Sequence, residues 1–149
     1  MNKKDIAKIL ANTTNSLFAN YQENNTRLAM ELGLTEAEFR CLRLIGSDKG
    51  LNNKQVANRM NLSQSRLTRI IDGLVKKGYI SREFNRQDSR SLNLTLSRKA
   101  NLLVKKLDKF NVDLHYKIFN GMNLSQQKSL LIGMDKLYSE SIKWIKKNK

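Results

Sequence analysis

NLSQSRLTRIIDGLVKKGYI, Asn61 to Ile80, is the stretch from which the rest of the chain can be placed. Ser63 stands where a helix N-cap belongs, and Leu62 and Leu67 are spaced to staple across it. Leu67, Ile70, Ile71, Leu74 and Val75 then fall at i, i+3, i+4, i+7 and i+8, which gives the helix one buried face. Gly78, directly after Lys76 and Lys77, ends the helix, with both cations at the negative end of its dipole. Near the N-terminus, Ser63, Gln64, Ser65, Arg66, Thr68 and Arg69 gather hydroxyl, amide and guanidinium groups on the polar side. Such a face is most often simply solvated, so its meaning depends on its neighbours.

Downstream, a strand from Tyr79 to Phe84 is expected to pair with one from Ser91 to Leu96, where Leu92, Leu94 and Leu96 alternate with Ser91, Asn93, Thr95 and Ser97. The connection between them, Asn85 to Arg90, carries Arg86, Asp88 and Arg90. Upstream, Asn52 can cap a short helix running to about Met60, with Gln55 completing a capping box and Leu51 stapling onto Val56. Two short helices in tandem, the second with a basic polar face, followed by a hairpin with an arginine-rich tip, describe a winged helix-turn-helix. In that arrangement Asn53, Ser63, Gln64, Ser65, Arg66, Thr68 and Arg69 are the groups for major-groove edges and phosphates, and Arg86 and Arg90 can enter the adjacent minor groove. Asp88 would be repelled by phosphate; it is expected to hold a guanidinium or a backbone N–H and so shape the tip.

The remaining segments read as helices. Thr35 and Glu38 form a second capping box, with Leu34 stapled onto Phe39, and that helix should stop at Gly46. Residues 5 to about 31 place Ile6, Leu10, Leu17, Tyr21 and Leu28 on one stripe. After the hairpin, Leu103, Leu107, Phe110, Leu114 and Ile118 form one seam, and Leu131, Met134, Tyr138, Ile142 and Ile145 another. The expected fold is mainly α with a small antiparallel β-hairpin wing: a winged helix-turn-helix domain at 34–97, flanked by a helical dimerisation region made of 1–33 and 98–149. A reading core of about 65 residues cannot cover all these stripes, so a homodimer is expected, its reading helices about one DNA turn, roughly 34 Å, apart.

Charge points to the same partner. The chain of 149 residues carries a net +15, and its distribution is uneven: 7 Lys/Arg against 6 Asp/Glu in 1–51, 11 against 3 in 52–100, and 10 against 4 in 101–149. In the middle third seven of those eleven cations are arginines, the side chain suited to forked contacts with phosphates and base edges. No run approaches the roughly 18 apolar residues needed to span a bilayer. The first residues lack the apolar core of a secretory signal, and a lone cysteine suits a reducing compartment, so a cytoplasmic location without membrane contact is expected.

The run Leu62-Ser63, Leu67-Thr68-Arg69-Ile70-Ile71-Asp72, Leu74, Lys76-Lys77-Gly78-Tyr79-Ile80 and Arg82, then Asp88, Arg90 and Leu94-Thr95-Leu96-Ser97 with Lys99-Ala100, resembles the MarR family of bacterial transcription regulators. The resemblance extends over nearly the whole chain and departs from the family at Ser97, Ala100 and Asn85-Arg86. It implies homodimers on pseudo-palindromic operators, with DNA affinity changed by small phenolic or lipophilic ligands or by cysteine oxidation.

For an effector, Leu17, Phe18, Tyr21, Phe39, Arg43 and Phe110 offer an apolar lining with one cation, although each is more often plain core. Cys41 sits among Phe39, Leu42, Leu44 and Ile45 and reads as a buried small hydrophobe, and the resemblance places redox cysteines in the first helix, where none occurs here. His115 has no second ligand at metal spacing, and neither metal nor cofactor is expected. One His, one Cys and no glycine-rich phosphate loop argue against an enzyme. The competing function is a non-specific architectural DNA- or RNA-binding protein, which charge alone would serve.

Overall fold

The structure, a computed structural model, describes residues 1–47, 50–84 and 92–148, with only the backbone of 83, 84, 92 and 93. Among the described residues six helices and one hairpin follow in order: α1 Lys3–Glu31, α2 Glu36–Ser47, α3 Asn53–Met60, α4 Gln64–Lys76, β1 Ile80–Phe84, β2 Leu92–Leu96, α5 Arg98–Phe119 and α6 Leu124–Lys147. The chain is therefore mainly α with one antiparallel hairpin, whose register runs from Ile80 opposite Leu96 to Phe84 opposite Leu92. No described helix is long and apolar enough to cross a membrane.

Local chemistry explains most helix starts. Asn52 accepts from the Gln55 N–H at 2.9 Å while Gln55 Oε1 accepts from the Asn52 N–H at 2.9 Å, and Thr35 and Glu38 make the same reciprocal pair at 3.2 and 2.7 Å. Each box satisfies two backbone donors that a helix start leaves without intrahelical partners. Asn2 and Asp5 form a further box, which starts α1 two residues before the expected position. At its other end α2 runs to Ser47, one residue past Gly46. Gly46 is there for close approach: a Cβ on it would lie 2.6 Å from a methyl group of Val104.

The molecule divides into two compact units, Met1–Val104 and Lys105–Lys149. In the first, α2, α3 and α4 pack on one another, and α4 leads into the hairpin. Phe39, Cys41, Leu42, Val56, Leu67, Ile71 and Leu74 are its largest fully buried side chains. Each large one contributes roughly 1.5–3 kcal/mol through burial. Helix α1 lies in the first unit, with Ala29 buried and Asn25 accepting from Arg43 Nη1 at 3.4 Å. Its expected stripe is largely uncovered: Ile6, Leu10 and Leu17 are exposed.

In the second unit, Asn123 caps α6 through a box with Gln126, and Gln127 Nε2 donates to the Phe119 and Met122 carbonyls at 2.9 and 3.0 Å, closing the turn before it. No residue of α6 is buried.

Candidate nucleic-acid interface

The turn between α3 and α4 is built by two residues. Asn61 takes a left-handed conformation, φ 55° and ψ 48°, which asparagine tolerates better than most residues. Leu62 then donates its N–H to the Ala57 carbonyl at 2.9 Å. Ser63, in extended conformation, accepts the Arg66 N–H on its Oγ at 3.3 Å and starts α4. Leu67, Ile71 and Leu74 bury one face of that helix. Val75, expected in the same stripe, is 36% exposed: eight residues beyond Leu67 it is turned about 80° away.

Ser63, Gln64, Ser65, Arg66, Thr68 and Arg69, at and beyond the start of the helix, are all exposed. Their hydrogen-bonding capacity is partly committed. Thr68 Oγ1 donates to the Gln64 carbonyl at 2.9 Å, which leaves its oxygen as an acceptor and its methyl for apolar contact. The hydroxyls of Ser63 and Ser65 lie 3.2 Å apart. Asn53, at the start of α3, is half-buried, and its Oδ1 is buried without a hydrogen-bond partner. Arg86, Asp88 and Arg90 lie outside the described residues.

Two ion pairs frame the helix. Asp72 binds Arg82 Nη2, on β1. The second pair has no local signature: Lys77 Nζ lies 2.6 Å from Glu38 Oε2, across 39 residues of sequence. Burial pushes the Glu38 carboxyl up, but the Lys77 ammonium and the Thr35 N–H outweigh it and hold the group below its ordinary value. Gly78 closes α4 with φ +75°, a conformation that costs glycine nothing. Behind it, Ser97 caps α5 by accepting the Ala100 N–H at 3.1 Å and donates its own N–H to the Tyr79 carbonyl at 3.0 Å, so the hairpin's return is tied to the end of α4.

The residues expected to line an effector site differ in exposure. Phe39 is buried in the core, Leu17 and Phe18 are exposed, Tyr21 is half-buried, and Arg43 binds Asn25; Phe110 belongs to the second unit. Cys41 is fully buried, and burial pushes its thiol up to about 12. No group of three or more His, Cys, Asp or Glu among the described residues is placed to hold a metal ion.

Residues 34–92, from two residues before α2 to the first residue of β2, match the family model described as MarR family. The HTH-type transcriptional regulator SarZ of Staphylococcus epidermidis is 30% identical over 99 residues, and this stretch spans 66% of the chain and 64% of SarZ, a little under two thirds of that relative's length. A MarR family protein from Bacillus stearothermophilus has a TM-score of 0.82 at 16% identity, with 95% of this chain and 99% of that one covered. Streptococcus pneumoniae FabT, solved in complex with DNA, has a TM-score of 0.77 at 22% identity, with 95% and 99% covered. At such identities the two structures speak for the fold alone, whereas the family model and SarZ match the sequence of the helix-turn-helix itself. Over its helix-turn-helix the chain is therefore similar to the MarR family.

Proposed function

We propose that the protein is a sequence-specific DNA-binding transcriptional regulator that acts as a homodimer on pseudo-palindromic operators and represses by occupying them. The observation that carries this reading is α4: its core face is held by Leu67, Ile71 and Leu74, while its first turns present amide, hydroxyl and guanidinium groups outward. That combination suits base-edge recognition in a major groove, where rigid placement of donors and acceptors separates one sequence from another. Dimerisation through 1–33 and 98–149 is supported by apolar side chains left uncovered by their own chain, among them Leu10, Leu131, Met134 and Tyr138. Release by a small lipophilic or phenolic ligand completes the reading, and Leu17, Phe18 and Phe110 are exposed apolar side chains that one could cover.

Selection of bound duplexes from a random pool tests this. The expected result is a two-fold symmetric consensus with half-sites about one turn, roughly 34 Å, apart, bound on the order of 10³-fold or more tighter than random DNA. Binding that tolerates any sequence and merely falls steeply with salt would instead identify a non-specific architectural DNA- or RNA-binding protein, a role the net charge of +15 would serve. Within the regulator reading, Arg90→Ala weakens binding mainly at sites with A·T-rich flanks, and Asp88→Ala weakens it although a negative charge is removed.

A further inference from the structure

The end of α4 is held by contacts that its core packing does not require. Glu38 is 6% exposed and lies at the start of α2, where one of its oxygens serves both the Thr35 N–H at 2.7 Å and the Lys77 ammonium at 2.6 Å. Its other oxygen occupies a notch on the flank of α4 that exists only because residue 73 is glycine: a Cβ there would stand 2.2 Å from Glu38 Oε1. The backbone of Lys77 is held from a different element, since its carbonyl accepts from Lys99 Nζ at 3.3 Å, and that ammonium sits 4.1 Å from the centre of the Tyr79 ring. A buried carboxylate with one cationic partner is costly to separate from it, so this clamp has a defined position.

Geometry makes the clamp matter at the far end of the helix. At 1.5 Å per residue, Ser65 and Lys77 are about 18 Å apart along the axis, so a tilt of about 5° at the last turn moves the first by about 1.5 Å. The useful range of an N–H···O bond is only about 2.7–3.2 Å, which such a shift exceeds.

We propose that Glu38 and Lys77, steadied by Lys99, are positioning residues that set the pose of α4 and thereby the selectivity of the groups at its other end. The proposal rests on α4 being the DNA-reading helix. It also predicts a sign opposite to that of charge. Glu38→Gln removes a negative charge from the reading unit, which by electrostatics alone tightens binding to DNA. Glutamine still completes the capping box with Thr35, so the helix start is preserved while the ion pair is lost.

The test compares wild type, Glu38→Gln, Lys77→Met, Lys77→Arg, the Glu38→Gln/Lys77→Met double variant and Lys99→Met, all as full chains. Each is titrated against the selected duplex and a scrambled one over a range of salt, with thermal unfolding to confirm folding. Glu38→Gln and Lys77→Met should each weaken binding to the selected duplex about 10-fold, and the double variant should be no worse than either, as expected for one coupled unit. Binding to the scrambled duplex should change by less than about 2-fold, and Lys77→Arg should recover most of the loss. The salt slope should stay at its wild-type value, because a lost phosphate contact would lower it by about one. Tighter binding by Glu38→Gln, multiplying effects in the double variant, or a slope reduced by one in Lys77→Met overturns the proposal. Should the ion-pair variants fold poorly, exposed Lys99→Met carries the same test, with about 3-fold weaker selected binding expected and unchanged binding overturning it.

Hydrogen exchange separates this proposal from the reading beneath it. If wild type prefers no sequence, DNA reading fails, yet amides at the end of α4 should still exchange faster in Glu38→Gln than in wild type. Unchanged exchange there would overturn the clamp by itself.

Discussion

Helices α4 and α6 differ in what holds them. The first has 13 residues, of which Leu67, Ile71 and Leu74 are buried; the second has 24 and buries none. Both are well capped, by Ser63 and by Asn123, so the difference does not come from local helix chemistry. It comes from partners: α4 is packed by α2 and α3 of its own chain, whereas α6 carries Leu131, Ile132, Met134, Tyr138 and Trp144 at half or more of their full exposure. Apolar side chains left uncovered along a helix of this length favour a partner that covers them, which is why the homodimer stands in the proposed function.

The widest separation between the two helices is expected from truncation. Leu74→Ala should lower the unfolding free energy by about 2–5 kcal/mol at every protein concentration, measured by urea titration. Leu131→Ala should act on association: its loss should depend on protein concentration and appear in sedimentation as a weaker dimer. Equal, concentration-independent losses at both sites would erase the comparison. Next in size, Arg66→Ala should cost about 1–3 kcal/mol on the preferred sequence and change which sequences are selected, whereas a uniform loss on all duplexes would reduce α4 to a basic surface. Removing a cap sharpens the contrast further. Asn123→Ala should cost about 1 kcal/mol and show as faster exchange confined to the start of α6, while Asn52→Ala, on α3 inside the first unit, should cost a similar amount but register in global unfolding. The smallest expected effect is at Cys41. With its thiol pushed up to about 12 and no side-chain exposure, native protein should resist thiol reagents, and rapid labelling would show that the core opens.

The caps at Asn52, Thr35 and Ser63, the periodic face of α4 and the glycine that ends it were all legible in the sequence, because each depends on residues no more than about one helical turn or one stripe apart. The outward groups of α4 were legible for the same reason: once Leu67, Ile71 and Leu74 are placed inside, Ser65, Arg66 and Arg69 fall away from them. What required the tertiary structure is where distant segments meet. Gly46 reads as a stop by composition, and only the approach of Val104 shows why α2 needs a glycine inside it. Gly73 looks like a weak point in α4 until the carboxylate of Glu38, 35 positions earlier, is found lying against it. The physical reason is range: capping and periodicity act along the backbone and repeat in every helix, whereas a notch filled by a charged side chain exists only after packing has brought the two elements together.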